Sequence, residues 1–154
     1  FSQGVSIWGG AVRHPCRNTK MEMDMTLQIT ALYGAILTLM YLGLTFYVIK
    51  SRVAADQSIL HGDDMQLATK IRRHGNFAEF VPMALIVMAL AEMGGGNPVA
   101  LNAAGIILVV ARAVQPFGMD PVKANKPARI IGGVGTHLSM LICVALIFMA
   151  QFSA

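Results

Sequence analysis

Charge is what this sequence has least of. Only 13% of its 154 residues are Asp, Glu, Lys or Arg, about half of the ~25% usual for a soluble domain. With 55% hydrophobic residues and a mean hydropathy of +0.59, the deficit excludes an ordinary water-solvated globule and points to a chain solvated by lipid. Cysteine is nearly missing too. Cys16 and Cys143 are far apart and match no zinc or redox spacing. Cys143 falls inside an apolar run, where a thiol packs as a small hydrophobe. There is no G-x-S-x-G, P-loop or dinucleotide fingerprint, which removes the common soluble enzyme classes. No internal repeat appears, against a transporter. The basic residues lack aromatic interleaving, against nucleic-acid binding.

Long hydrophobic runs are what the chain does have. Residues 27–49, "LQITALYGAILTLMYLGLTFYVI", are 23 residues without a charge, longer than the ~20 needed to span a bilayer. Lys50 and Arg52 close the run, and Tyr47 suits an interfacial aromatic belt. Residues 77–91, apolar except for Glu79, number only 15. A spanning helix of about 20 residues ending near Glu92 must therefore begin near Arg72. That reckoning draws Asn76 and Glu79 below the membrane surface, and it places Pro82 inside the helix as a kink. In "GGGNP" (94–98) the glycines stop the second helix, Asn97 can cap the third and Pro98 suits its first position. The third helix is expected over 99–115. After a proline-punctuated loop the fourth covers 130–152, with "GGVGT" (132–136) offering small residues for close approach.

The fold class this predicts is an all-α integral membrane protein, one domain over residues 26–154 built as a four-helix bundle. Residues 1–25 read as an extramembrane leader without the h-region of a secretory signal. Met21 would make a sensible start, with residues 1–20 an expression remnant or a mis-set start. Lys and Arg gather in the 1–2 and 3–4 connections, while the 2–3 turn has none. By the positive-inside rule both basic connections are cytoplasmic and both termini outside.

Topology then gathers polar residues at one membrane level: Arg72, Arg73, Asn76, Glu79, Arg112, Lys126 and Arg129. Arg72, Asn76 and Glu79 lie at i, i+4 and i+7, one helical face. A carboxylate at that depth costs about 2.5–3.5 kcal/mol unless paired, and Arg72 and Arg112 are the partners to expect. The result would be a buried cluster of opposite charges suited to a small zwitterionic or anionic ligand, its carboxylates held by arginine forks and its ammonium by Glu79. Lys50, Arg52, Lys70 and Lys123 read instead as membrane anchors. His74 turns away from the Arg72 face, toward a neighbouring subunit's pocket or an interfacial hydrogen bond. His137 reads as a packing residue.

"R-R-H-G-N-F-A-E-F-V-P" (72–82) resembles the signature of the MAPEG family, the membrane-associated proteins in eicosanoid and glutathione metabolism. Its R-x-x-x-N-x-x-E core opens the second helix, and Arg72, Asn76, Glu79, Phe80 and Pro82 fit it. "A-R-A-V-Q-P-F-G" (111–118) resembles the end of the family's third helix. The resemblance covers 26–152 and is of a divergent bacterial type. It implies a homotrimer in the bacterial inner membrane, with glutathione as co-substrate between subunits near the cytoplasmic face. Arg72, Asn76, Glu79 and Arg112 would bind it, with Arg73 and His74 nearby. A cation opening the fourth helix, Arg129 or Lys126, would stabilise the thiolate for attack on a lipophilic small molecule dissolved among membrane lipids. The implied activity is a glutathione-dependent transferase or peroxidase. The alternative is a non-catalytic lipid or metabolite binder on the same scaffold, and a third reading is a structural membrane protein whose ion pairs only settle the bundle. The chain departs from the family at Gln115 and Met119, where tyrosines are common. It departs again at Thr69, where some members have arginine, and at Phe80, where tyrosine is frequent.

Overall fold

The computed structural model describes residues 27–120 and 127–152. Within them the chain forms four helices: α1 Gln28–Ala54, α2 Met65–Met93, α3 Pro98–Gly118 and α4 Pro127–Phe152. Each is long and apolar enough to cross a membrane, and no strand occurs among the described residues. The expected leader (1–25), Lys123 and Lys126 lie outside the described residues.

The helices run past the ends that hydrophobicity gave them, most of all α2. It begins at Met65 rather than near Arg72, because Asp64 caps it: Oδ1 accepts from Gln66 N at 2.8 Å and Leu67 N at 3.0 Å. At 29 residues and ~1.5 Å per residue, α2 is well longer than a ~30 Å hydrocarbon layer. Its polar first turns therefore extend beyond the span that apolar length defines. Pro82 sits inside α2 without ending it, and its missing N–H leaves the Ala78 carbonyl without the usual i→i−4 donor.

The turn after α2 is built as expected. Gly95 takes φ +75°, Gly96 N donates to Ala91 O at 2.9 Å, and Asn97 Oδ1 accepts from Val99 N at 2.9 Å and Ala100 N at 3.3 Å. Beside this turn, Glu92 does something that sequence reading missed. Its Oε1 accepts from Ile29 N at 2.9 Å and its Oε2 from Thr30 N at 2.8 Å. It thereby caps α1, whose own N-cap Leu27 offers no side-chain bond, and puts a negative charge at a helix N-terminus where it is favoured.

The core falls into two apolar groups, one around Tyr33, Met88, Leu101 and Cys143 and one around Leu37, Phe77, Val81 and Leu108. Elsewhere the large apolar side chains face outward: Leu39 is 70% exposed and Leu141 63%, as suits a lipid solvent with no penalty for apolar surface. The α3–α4 contact is the most extensive in the bundle, and small residues permit a close approach there. A Cβ on Gly132 would lie 2.5 Å from Gln115 Cβ and 2.8 Å from the Ala111 carbonyl oxygen. Gly118 abuts the backbone of Arg129.

Candidate functional site

The helix ends away from the 94–97 turn carry the polar residues. Arg72, Asn76 and Glu79 share one face of α2, as their spacing requires. Arg72 Nη1 meets Glu79 Oε1 at 2.9 Å, with both side chains more than half exposed on the protomer (64% and 51%). The expected buried cluster is thus corrected in part: this ion pair lies at the surface, and among the described charged residues of the cluster only Arg112 is buried.

Arg112, from α3, is 2% exposed. It does not pair with Glu79 as anticipated. Its Nη1 donates to Asn76 Oδ1 at 3.2 Å and its Nη2 to Gly132 O at 3.3 Å and to Thr136 Oγ1. Its Nε has no partner, and its guanidinium carbon stands 5.6 Å from the Phe80 ring centroid. Every one of these partners is neutral, so among the described residues a positive charge is buried with no carboxylate bonded to it. Such an arrangement is costly in itself. It also fixes Asn76: because arginine can only donate, the amide oxygen must face Arg112, leaving the NH₂ group to donate elsewhere.

In front of this pair lies a groove of about 250 Å³, lined by Arg72, Asn76, Gln115, Met119, Asp120 and Arg129 among others. It joins α2, the end of α3 and the start of α4. Arg72, Asn76 and Arg129 line it with donors and Asp120 with one carboxylate, so its charge is net positive and suits an anionic group. Glu79 stands at its edge through Arg72, and Arg112 stands behind Asn76. Thr136 and Gly132 hold Arg112 from α4, a role that their small size alone does not signal.

Of the two neighbours the resemblance implies, Arg73 stays beside Asn76 and Arg112, with which it lines the crevice between α2 and α3. His74 turns from the Arg72 face as its spacing requires. His74 turns to α1, its Nε2 3.0 Å from Thr45 Oγ1 and its ring 4.8 Å from Tyr41. Thr45 already donates to Tyr41 O, so His74 Nε2 is the donor in that bond. Arg73 Nη2 donates to Met119 O at 2.8 Å, tying α2 to the end of α3 from the other side. His137 bonds its own helix, Nδ1 to Gly133 O at 2.7 Å, and sets its ring edge-on to Phe80 at 5.7 Å. Although it is exposed rather than buried, it packs on a neighbour as expected. Among the described residues no group of His, Cys, Asp and Glu could hold a metal.

Four membrane-length helices with a donor-lined groove at one end define an integral membrane protein with a small polar site inside an apolar bundle. The particular family follows from comparison with known proteins. The MAPEG family model matches residues 30–152, and the chain belongs to that family. Its relatives include the inner membrane protein YecN of Escherichia coli strain K12, 29% identical over 90 residues that cover 58% of this chain and 69% of YecN. The YecN of Escherichia coli O6:H1 matches to the same extent.

Proposed function

We propose that this protein is a glutathione-dependent transferase or peroxidase for apolar electrophiles, working as a homotrimer in a bacterial inner membrane with its groove at the cytoplasmic face. The observation that carries the reading is the donor set: Arg72, Asn76 and Arg129 line one groove, backed by a buried Arg112 with only neutral partners. Glutathione offers two carboxylates for such donors and an ammonium for Glu79. The exposed Arg72–Glu79 pair leaves that side of the site open to a second subunit. Arg129 would favour the charged form of the cysteinyl thiol and so lower its pKa. The thiol proton leaves to water, and the thiolate sulfur bonds the electrophilic carbon as the leaving group departs with its electron pair. An electrophile dissolved in lipid reaches such a site without crossing water.

A binder without turnover is the second reading, favoured by Gln115 and Met119 in the lining, which supply no phenolic hydroxyl to the bound thiol. Calorimetric titration of the detergent-purified protein with glutathione, repeated on Glu79→Gln, tests both. Saturable binding that weakens in the variant supports the site, and a thiolate absorbance on binding selects the enzyme. No heat at millimolar glutathione overturns the proposal.

A further inference from the structure

Arg72 and Arg73 are consecutive in α2, and a helix turns about 100° per residue, so the two guanidiniums leave the helix in different directions. Arg72 serves the groove toward α3 and α4. Arg73 lines a second groove, of about 180 Å³, between the end of α1 and the start of α2, with Tyr47, Gln66, Thr69 and Lys70. Thr69 lines both grooves and is the wall they share.

This second groove has a consistent chemistry. Its lining holds two cations and no carboxylate. Lys70 Nζ stands over the Tyr47 ring, 5.0 Å from the centroid, an arrangement that keeps the ammonium in place. Arg73 is anchored by the Met119 carbonyl at 2.8 Å, so its guanidinium is held rather than free to follow solvent. Depth adds a second argument. Tyr47 lies in the last turns of the uncharged run 27–49, just before Lys50 and Arg52. The groove therefore stands where hydrocarbon gives way to water, which is the level of lipid phosphates. Deeper along α1 the large exposed side chains are apolar, with Phe46 at 66% and Leu39 at 70%, a surface for acyl chains.

We propose that this α1–α2 groove binds the phosphate of an anionic phospholipid, held by Lys70 and Arg73 with Gln66 as a further donor. The site is separate from the glutathione reading and stands without it.

The test is native mass spectrometry of the detergent-purified protein titrated with phosphatidylglycerol and, separately, phosphatidylcholine. Phosphatidylglycerol adducts are expected to dominate. Lys70→Gln and Arg73→Gln should each weaken them about fivefold, the effect of one basic residue at an anionic surface. Lys50→Gln, which removes the same charge outside the groove, should leave them unchanged. Should Arg73→Gln fail to fold, Arg73→Lys keeps the charge and should keep the adducts, with Lys70→Gln carrying the loss. Equal adducts from both lipids, or an equal loss in Lys50→Gln, overturns the proposal. Complete competition by soluble glycerol phosphate makes this a free-anion site and overturns the lipid assignment.

Discussion

At one end of the bundle Glu92 places both carboxylate oxygens on the backbone N–H groups that open α1. At the other, Arg112 is buried among an amide, a carbonyl and a hydroxyl, with one N–H unmatched. Both are charged groups in membrane helices, where charge is expensive. Glu92 is explained by the fold alone, since the orphan donors of a helix N-terminus need an acceptor. Arg112 is not, because a neutral side chain could fill its volume at lower cost. A charge that the fold does not need is where a ligand should be sought.

Three experiments would sharpen or break that contrast. The largest effect is expected at the donor-lined end. Arg129→Ala should cut glutathione-dependent turnover by about 10²–10³-fold, as when one group facing a developing anion is lost, while calorimetric affinity for glutathione changes far less. Unchanged turnover would remove Arg129 from the chemistry. Glu92→Ala comes next and should act only on the fold. Loss of the α1 cap is worth about 1 kcal/mol, seen as a lower thermal midpoint in detergent with glutathione affinity intact. If affinity fell as well, the two ends would be coupled and the contrast would fail. The smallest effect is on the stability of Glu79→Gln. An exposed ion pair contributes about 0–1 kcal/mol, so the midpoint should hardly move even where binding weakens. A large drop would make the Arg72–Glu79 pair a structural device.

The helices were legible because membrane spans need long apolar runs, and Asn97 was legible because a cap requires a short acceptor before the first turn. The start of α2 was not. Residues 65–71 extend beyond the span that apolar length defines, and the signal that begins the helix is Asp64 rather than hydrophobicity. Spacing put Arg72, Asn76 and Glu79 on one face, and Arg72 met Glu79 as expected. Spacing within one helix says nothing of how deep a second helix sits against it. Arg112 therefore met Asn76, Gly132 and Thr136 instead of Glu79, while His74 turned from the Arg72 face as its spacing requires. Glu92 looked like a mere helix end because its partners, Ile29 and Thr30, are brought to it only by tertiary packing.

The contact of Gly118 with the backbone of Arg129 makes the groove a product of helix packing. Where the Arg129 backbone enters the groove is set by the seating of one helix on the other. Any side chain at position 118 would displace that backbone and reshape the groove with it.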